Sequence, residues 1–239
     1  RYFAHGSARR IGEFVNTTTL PNKKDIVDAL KDIDKTCDFC IRHKTKEAPH
    51  RSVSMPVGET FNDVVAMDLK LLDCGEWIIH MLDTVTRFSS AATIDNKSAD
   101  EIITKIFERW IAIFGKPQTF MSDNGSEFVN EKFNDLCSHM DIHIRTSPSE
   151  SPWCNGAVER HNGLLADMIN AVKEETGCST DIAVAWAVNS KNSLNNVFGF
   201  SSHQLVFGKN PEVPGILTYR NLPALSETTV SKIVADNLN

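Results

Sequence analysis

Asp68 sits in the stretch MDLKLL, Asp123 in SDNGSEF and Glu159 in NGAVERHN, with 35 residues between the second acid and the third. Carboxylates gathered from remote parts of a chain can hold hard divalent cations, because ions such as Mg2+ prefer oxygen donors and keep coordination positions for phosphate or water. Two such ions about 4 Å apart can stabilise both the attacking and the leaving oxygen of a phosphodiester displacement. Taken singly, each acid has a plainer explanation. An Asp on a strand is commonly a solvated surface residue, Asp-Asn-Gly is an ordinary turn sequence, and a Glu in a first helical turn is favoured by the helix dipole. Asp63, Asp73 and Asp83 are nearby alternatives for the first position.

The elements that must carry these residues follow from periodicity. Val65, Met67, Leu69 and Leu71 alternate with Ala66, Asp68 and Lys70, which predicts a strand with one acid on its second face. A turn at 73–76, a second strand around Trp77–Leu82 and a third around Ser90–Ile94 complete an antiparallel meander. Ser98 can cap a helix in which Ile102, Ile103, Ile106, Phe107, Trp110 and Phe114 recur at helical spacing, and Gly115 with Pro117 ends it. A short strand through Thr119–Met121 delivers Asp123; a helix near Glu131–Met140, a strand at Asp141–Thr146 and helices to about residue 208 follow. On the helix that carries Glu159, Val158, Leu165, Met168 or Ile169 and Val172 form a core-facing stripe. Glu159, Asn162 or Gly163, Ala166 and Asn170 form a small, polar stripe that a bulky duplex could approach. The Ser- and Pro-rich loop from Ser147 to Gly156 is expected to be mobile until DNA and metal arrive. The layout is α/β.

The three acids, their order, their spacing and the flanking words together resemble the retroviral and retrotransposon integrase family, from the first segment to about Lys209. The flanks of Asp68 fit that family better than those of Asp63, Asp73 or Asp83. The resemblance implies a ribonuclease H-like core, a mixed five-stranded sheet with flanking helices, preceded by a small helical zinc-binding unit. It implies a polynucleotidyl transferase that trims the 3′ ends of element DNA with water and then uses the 3′-hydroxyls to attack target DNA. Asp68, Asp123 and Glu159 would hold two Mg2+ or Mn2+ ions, Asp68 bridging both. Partners would be element-end DNA, target DNA and further copies of the chain, since joining two ends requires two sites, and the setting would be the nucleus after a cytoplasmic stage. A ribonuclease H-type nuclease and a host-adopted, non-catalytic DNA- or protein-binding protein are the alternatives.

The front of the chain carries its own metal pattern. Cys37 and Cys40 form a C-x-x-C pair, which suits one tetrahedral Zn2+ better than a redox dithiol because no β-α-β pattern surrounds it. The family's unit has two His followed by two Cys, and His5 resembles the second His; the first would fall at Arg1 or before it, and His43 is either a local substitute or an exposed polar residue. The expected organisation is a zinc-binding unit over 1–46, a linker over 47–57 with two prolines, a catalytic core over 58–210 and a tail over 211–239 that stops short of a further module.

Charge is uneven. The chain carries −6 overall, residues 1–50 carry +3 and the remainder −9. An acidic body argues mildly against nucleic acid, so DNA contact is assigned to local groups: Arg160, Lys173 and Asn155 around the third acid, and Arg9, Arg10, Lys23 and Lys24 in front. Such contacts would be sequence-tolerant and salt-sensitive. His161 is a backbone contact or a surface residue, and the helix over Asp181–Leu194 is an interface or a core element. Six Cys at these spacings do not make a secreted disulfide framework, and no apolar run approaches the roughly 20 residues of a membrane span.

Overall fold

A computed structural model describes residues 3, 6–17, 20–37, 58–123, 125, 127, 128, 130–146, 156–194, 196, 197 and 199–211. Three strands open its larger part: β1 (Val64–Leu71), β2 (Trp77–Asp83) and β3 (Ser89–Ile94). β1 and β2 pair antiparallel with Asp68 opposite His80, and β2 and β3 pair antiparallel in turn. Gly75 adopts φ 86° in the first turn, a left-handed conformation open to glycine without steric cost.

Helix α3 starts where Ser98 caps it, the serine side chain accepting from the backbone N–H of Glu101. It runs as Ala99–Ile106, widens into a π turn over Phe107–Ile111 and closes with Ala112–Phe114. Periodicity alone did not anticipate that turn. Ile102, Ile106 and Trp110 are fully buried, whereas Phe107 at the start of the π turn is exposed. Strand β4 (Thr119–Ser122), helix α4 (Glu131–His139), strand β5 (His143–Thr146), helix α5 (Gly156–Thr176) and helix α6 (Thr180–Leu194) follow. A two-stranded ribbon, β6 (Asn196–Val197) with β7 (Phe200–Ser201), leads into helix α7 (Ser202–Phe207), whose Ser201 and Gln204 form a capping box.

The five long strands form one sheet in the order β3-β2-β1-β4-β5, antiparallel through β1 and parallel from β1 to β5. Both faces are covered. On one, Val65, Met67, Ile79 and Phe120 pack with Ile102, Ile106 and Trp110 of α3 and Phe133 of α4. On the other, Ala66 and Met121 meet Val158 of α5, and Ile78 meets Leu165 and Ile169 of α5 and Ala183, Val184 and Ala187 of α6. This buries α6 as a core element along that stripe, although Ile182 on its other side stays exposed. A mixed five-stranded sheet with flanking helices is therefore the architecture of the core.

The front of the chain is helical as expected, with α1 (Ala8–Thr17) and α2 (Lys23–Thr36). Phe3 and Phe14 pack on Leu194 at the end of α6, which docks α1 against the core. His5 and Cys40, the 47–57 linker, Asn155, the loop from 147 to 155 and residues 212–239 lie outside the described residues. Cys37 is described: its backbone N–H closes α2 by donating to the Ile33 carbonyl at 2.8 Å. Among the described residues no helix is long and apolar enough to cross a membrane.

Candidate active site

Strand pairing brings two of the acids near one another. β1 and β4 run parallel with Ala66 beside Met121; Asp68 is two residues further along β1 and Asp123 follows the end of β4, so both acids come off the same end of this strand pair. The third acid arrives from the helix that covers this face. Val158 of α5 is buried against Ala66 and Met121, and Glu159 is the next residue along the helix. A cleft of about 170 Å3 results, lined by Ala66, Met67, Asp68, Met121, Ser122, Asp123, Val158 and Glu159. Among the described residues, no three His, Cys, Asp or Glu side chains converge on a single point; the acids line one cleft without closing on its centre.

The acids differ in setting. Asp123 is exposed and accepts from the backbone N–H of Gly125 at 3.0 Å, in a turn so close that a Cβ on Gly125 would stand 3.0 Å from the same carboxylate oxygen. Asp68 is half-buried. Burial, together with the neighbouring negative charges of Asp123 and Glu159, pushes its carboxyl up to about 6, against the pull of the Leu69 backbone N–H, which donates to it at 2.8 Å. Its other oxygen accepts from the Asn162 side-chain amide. Carboxylates are hard oxygen donors of the kind that divalent cations take, and Asp68, raised first by burial and then by the charge of Asp123, is the most enclosed of the three.

Of the two alternatives for the outer stripe, Asn162 and Gly163, the structure selects Gly163. Asn162 does not face outward beside Glu159 but is 3% exposed, because it lies four residues after Val158 as well as three after Glu159 and so follows the core-facing stripe. Gly163 takes the open position, with nothing within 4 Å of the place a Cβ would occupy. Asn170, further along, donates to Asp73 at 2.8 Å. His161 likewise turns inward: its Nδ1 is buried without a hydrogen-bond partner, and burial with the charges of Lys191, Arg87 and Arg10 holds the imidazole well below its usual range. The residue as a whole is half-buried, with Nδ1 on its inner side.

The rival acids have structural roles. Asp63 caps the turn at Glu59 and Thr60, with backbone N–H donors at 2.8 and 2.7 Å. Asp83 is buried at the end of β2 and organises the turn to β3, accepting from the backbone of Val85 and Thr86, the Thr86 hydroxyl and the Asn62 backbone. Of the basic residues, Arg160 is exposed next to Glu159. Lys173 is held by Glu76 at 3.2 Å and by the Thr180 hydroxyl, and it stands about 21 Å along α5 from Glu159 at 1.5 Å per residue. A phosphate there would compete with an existing ion pair. Burial pushes the Cys137 thiol up to about 11, and Cys74 is exposed.

Four buried polar residues behind Asp68 escaped sequence reasoning: His80 on β2, Ser89 on β3, and Lys191 and Asn192 on α6. The signal for His80 was polarity inside apolar periodicity, a His within the run Trp77–Leu82, whereas Lys191 and Asn192 lie in the polar run 189–193 at the end of their helix, which reads as a solvated terminus.

Residues 59–152 match the integrase core domain family. The retrovirus-related Pol polyprotein from transposon 412 of Drosophila melanogaster is 29% identical over 140 residues, 58% of this chain and 11% of that relative. The Gag-Pol polyprotein of woolly monkey sarcoma virus is 21% identical over 216 residues, 87% of this chain and 13% of that relative. The chain thus spans little more than a tenth of the length of these curated relatives. Among solved structures, a chain of the simian T-cell lymphotropic virus intasome in complex with PP2A regulatory subunit B56 gamma superposes with TM-score 0.60 and 21% identity, over 82% of this chain and 71% of that one. The HTLV-2 integrase catalytic core domain in complex with magnesium, in its trimeric form, superposes with TM-score 0.54 and 22% identity, over 64% of this chain and 99% of that one. These likenesses establish a shared core fold, the ribonuclease H-like sheet expected from the sequence. Residues 59–152 are thus similar to the integrase core domain, and the relatives that the chain matches are retroelement polyproteins.

Proposed function

We propose that this chain cuts and joins DNA as an integrase, processing the 3′ ends of an integrating element and transferring them to target DNA. The observation that carries the proposal is that Asp68, Asp123 and Glu159, remote in sequence, line a single cleft. Divalent Mg2+ or Mn2+ ions, when bound, would supply charge neutralisation for the attacking and leaving oxygens. Asp68 and Asp123, at the same end of the β1–β4 pair, would hold the ions from the sheet side. Glu159 would complete the set from α5, and the exposed Gly163 one turn on leaves room for a duplex. Arg160 and Asn155 flank that helix start as phosphate contacts. The magnesium named with the HTLV-2 core supports this choice of ion.

Joining two DNA ends requires two active sites, so the working form would be a multimer, in keeping with the dimeric and trimeric forms named for the HTLV-2 core. Host-DNA targets place the activity in the nucleus after a cytoplasmic stage. His5, Cys37 and Cys40 would hold Zn2+ beside α2, which zinc content per chain checks directly. The test of the main reading is an oligonucleotide strand-transfer assay in Mg2+ or Mn2+ comparing the parent with Glu159→Gln. Loss of joining of about 100-fold or more is expected from removing one ion-holding charge; equal joining by the variant would overturn the assignment.

A further inference from the structure

Behind Asp68, four polar side chains run through the core in unbroken contact. Asn162, His80, Ser89 and Lys191 are 3%, 0%, 0% and 1% exposed. The Lys191 ammonium donates to the Ser89 hydroxyl, and that hydroxyl meets His80 Nε2 at 2.9 Å. His80 Nδ1 meets the Asn162 carbonyl oxygen, and the Asn162 amide donates to Asp68 Oδ2. The chain starts on α6, crosses β3 and β2, passes through α5 and ends on the acid of β1.

The donor inventory of each group gives the chain one direction. An ammonium has only donors, so Ser89 Oγ accepts from Lys191 and turns its single proton to His80 Nε2. His80 is neutral, since burial and the Lys191 charge push it down to about 3, and its one ring proton must therefore be on Nδ1. That proton goes to the Asn162 carbonyl oxygen, which leaves only the NH2 end of the amide to face Asp68. With the other imidazole tautomer, two acceptors would oppose each other at Asn162, and the amide would flip to set its oxygen against the carboxylate. A buried link left unmade carries the desolvation cost of its orphaned group with nothing to offset it, so the contacts behave as a unit. Asn192 holds the middle of the chain in place: it accepts from the Ser89 backbone N–H and donates to the Ser89 carbonyl, both at 2.8 Å.

We propose that His80, Ser89 and Lys191 are positioning residues which, through Asn162, fix the orientation of the Asp68 carboxylate. The consequence for DNA joining rests on the integrase reading; the tautomer and the carboxylate orientation do not. Asp68 is held from behind by two donors, Leu69 N–H and the Asn162 amide, so its remaining lone pairs are aimed into the cleft. Outer partners of this kind change ion affinity or turnover by roughly 10- to 100-fold when removed.

The full chain, labelled with 15N in its histidine rings, is examined at pH 6.5 by long-range 1H–15N spectra, which report the ring nitrogen that carries the proton. His80 is expected as the Nδ1–H form. In Lys191→Met and, as a second and smaller change, Ser89→Ala, that preference is expected to be lost. Mn2+ affinity should then weaken roughly 10- to 100-fold and strand-transfer kcat fall by a similar factor, with KM for DNA unchanged. An Nε2–H form in the parent, or variants that keep Mn2+ affinity and kcat whatever their tautomer, overturns the proposal. Tautomer and Mn2+ affinity are read without DNA, so their failure is distinguishable from a parent that joins no DNA.

Discussion

Lys191→Met should separate stability from activity, and the separation should depend on pH. Lys191 is fully buried on α6, and its neighbours add to the strain on its charge. Burial first, then the guanidinium groups of Arg10 on α1 and Arg87 in the β2–β3 turn, push its ammonium from the usual range down to about 7; His161 of α5 and His80 of β2 face the same space. Because the folded value lies below the unfolded one, the unfolded chain binds more protons between pH 7 and the ordinary lysine range. Stability from this group therefore rises with pH across that window and is at its lowest below pH 7. One proton corresponds to at most about 1.4 kcal/mol per pH unit. From pH 7 to pH 9 the parent should gain up to about 3 kcal/mol relative to Lys191→Met, and half that figure is still well resolved by urea unfolding. At pH 6.5 the methionine variant, which buries no cation, should be at least as stable as the parent while its kcat is depressed. A stability difference that stays flat within about 0.5 kcal/mol over this window would refute a buried lysine of depressed proton affinity.

Three further outcomes follow from the packing. Asn162→Leu leaves Asp68 Oδ2 and His80 Nδ1 without their partner, and a loss of about 2–4 kcal/mol is expected in urea unfolding. Trp110→Ala empties the centre of the cluster between the sheet and α3, where Trp110 is 0% exposed and its indole N–H donates to Asn62 at 2.8 Å; about 3–5 kcal/mol should be lost, seen as a lowered Tm. Gly163→Ala adds a methyl group to open space on the exposed side of α5 and should stabilise by about 0.5–1 kcal/mol through helix propensity, read in the same unfolding assay.

The order of elements was readable because each strand and helix wrote its own period. Val65, Met67 and Leu69 alternate against the α3 side, and Ile102, Ile106 and Trp110 repeat at helical spacing to meet them. The sheet order was not readable from period alone: the parallel docking of β4 beside β1 depends on the crossover through α3, and the family resemblance implies only a mixed five-stranded sheet. The π turn at Phe107–Ile111 was missed for the same kind of reason. It changes the phase of a helix locally, and an apolar residue on either side of it fits both phases.

The acids of the cleft were found because catalysis by hard ions demands residue types that stand out against apolar flanks, and their spacing could be matched as words. Period leaves Asn162 and Gly163 both open for the outer stripe, because a residue three after one landmark and four after another satisfies both faces of a helix. Only the partner decides, and here the partner is His80, 82 positions earlier in the chain. Such pairings have no spacing rule. A buried Lys191 is, however, costly unless its protons are used, and the same holds for a His inside a strand whose neighbours are Ile78, Ile79, Met81 and Leu82. Polar residues that break an apolar period without reaching solvent must find one another. In this chain they do so in a line that ends on Asp68, which is why the cost of burying them makes sense only together with the acid they hold.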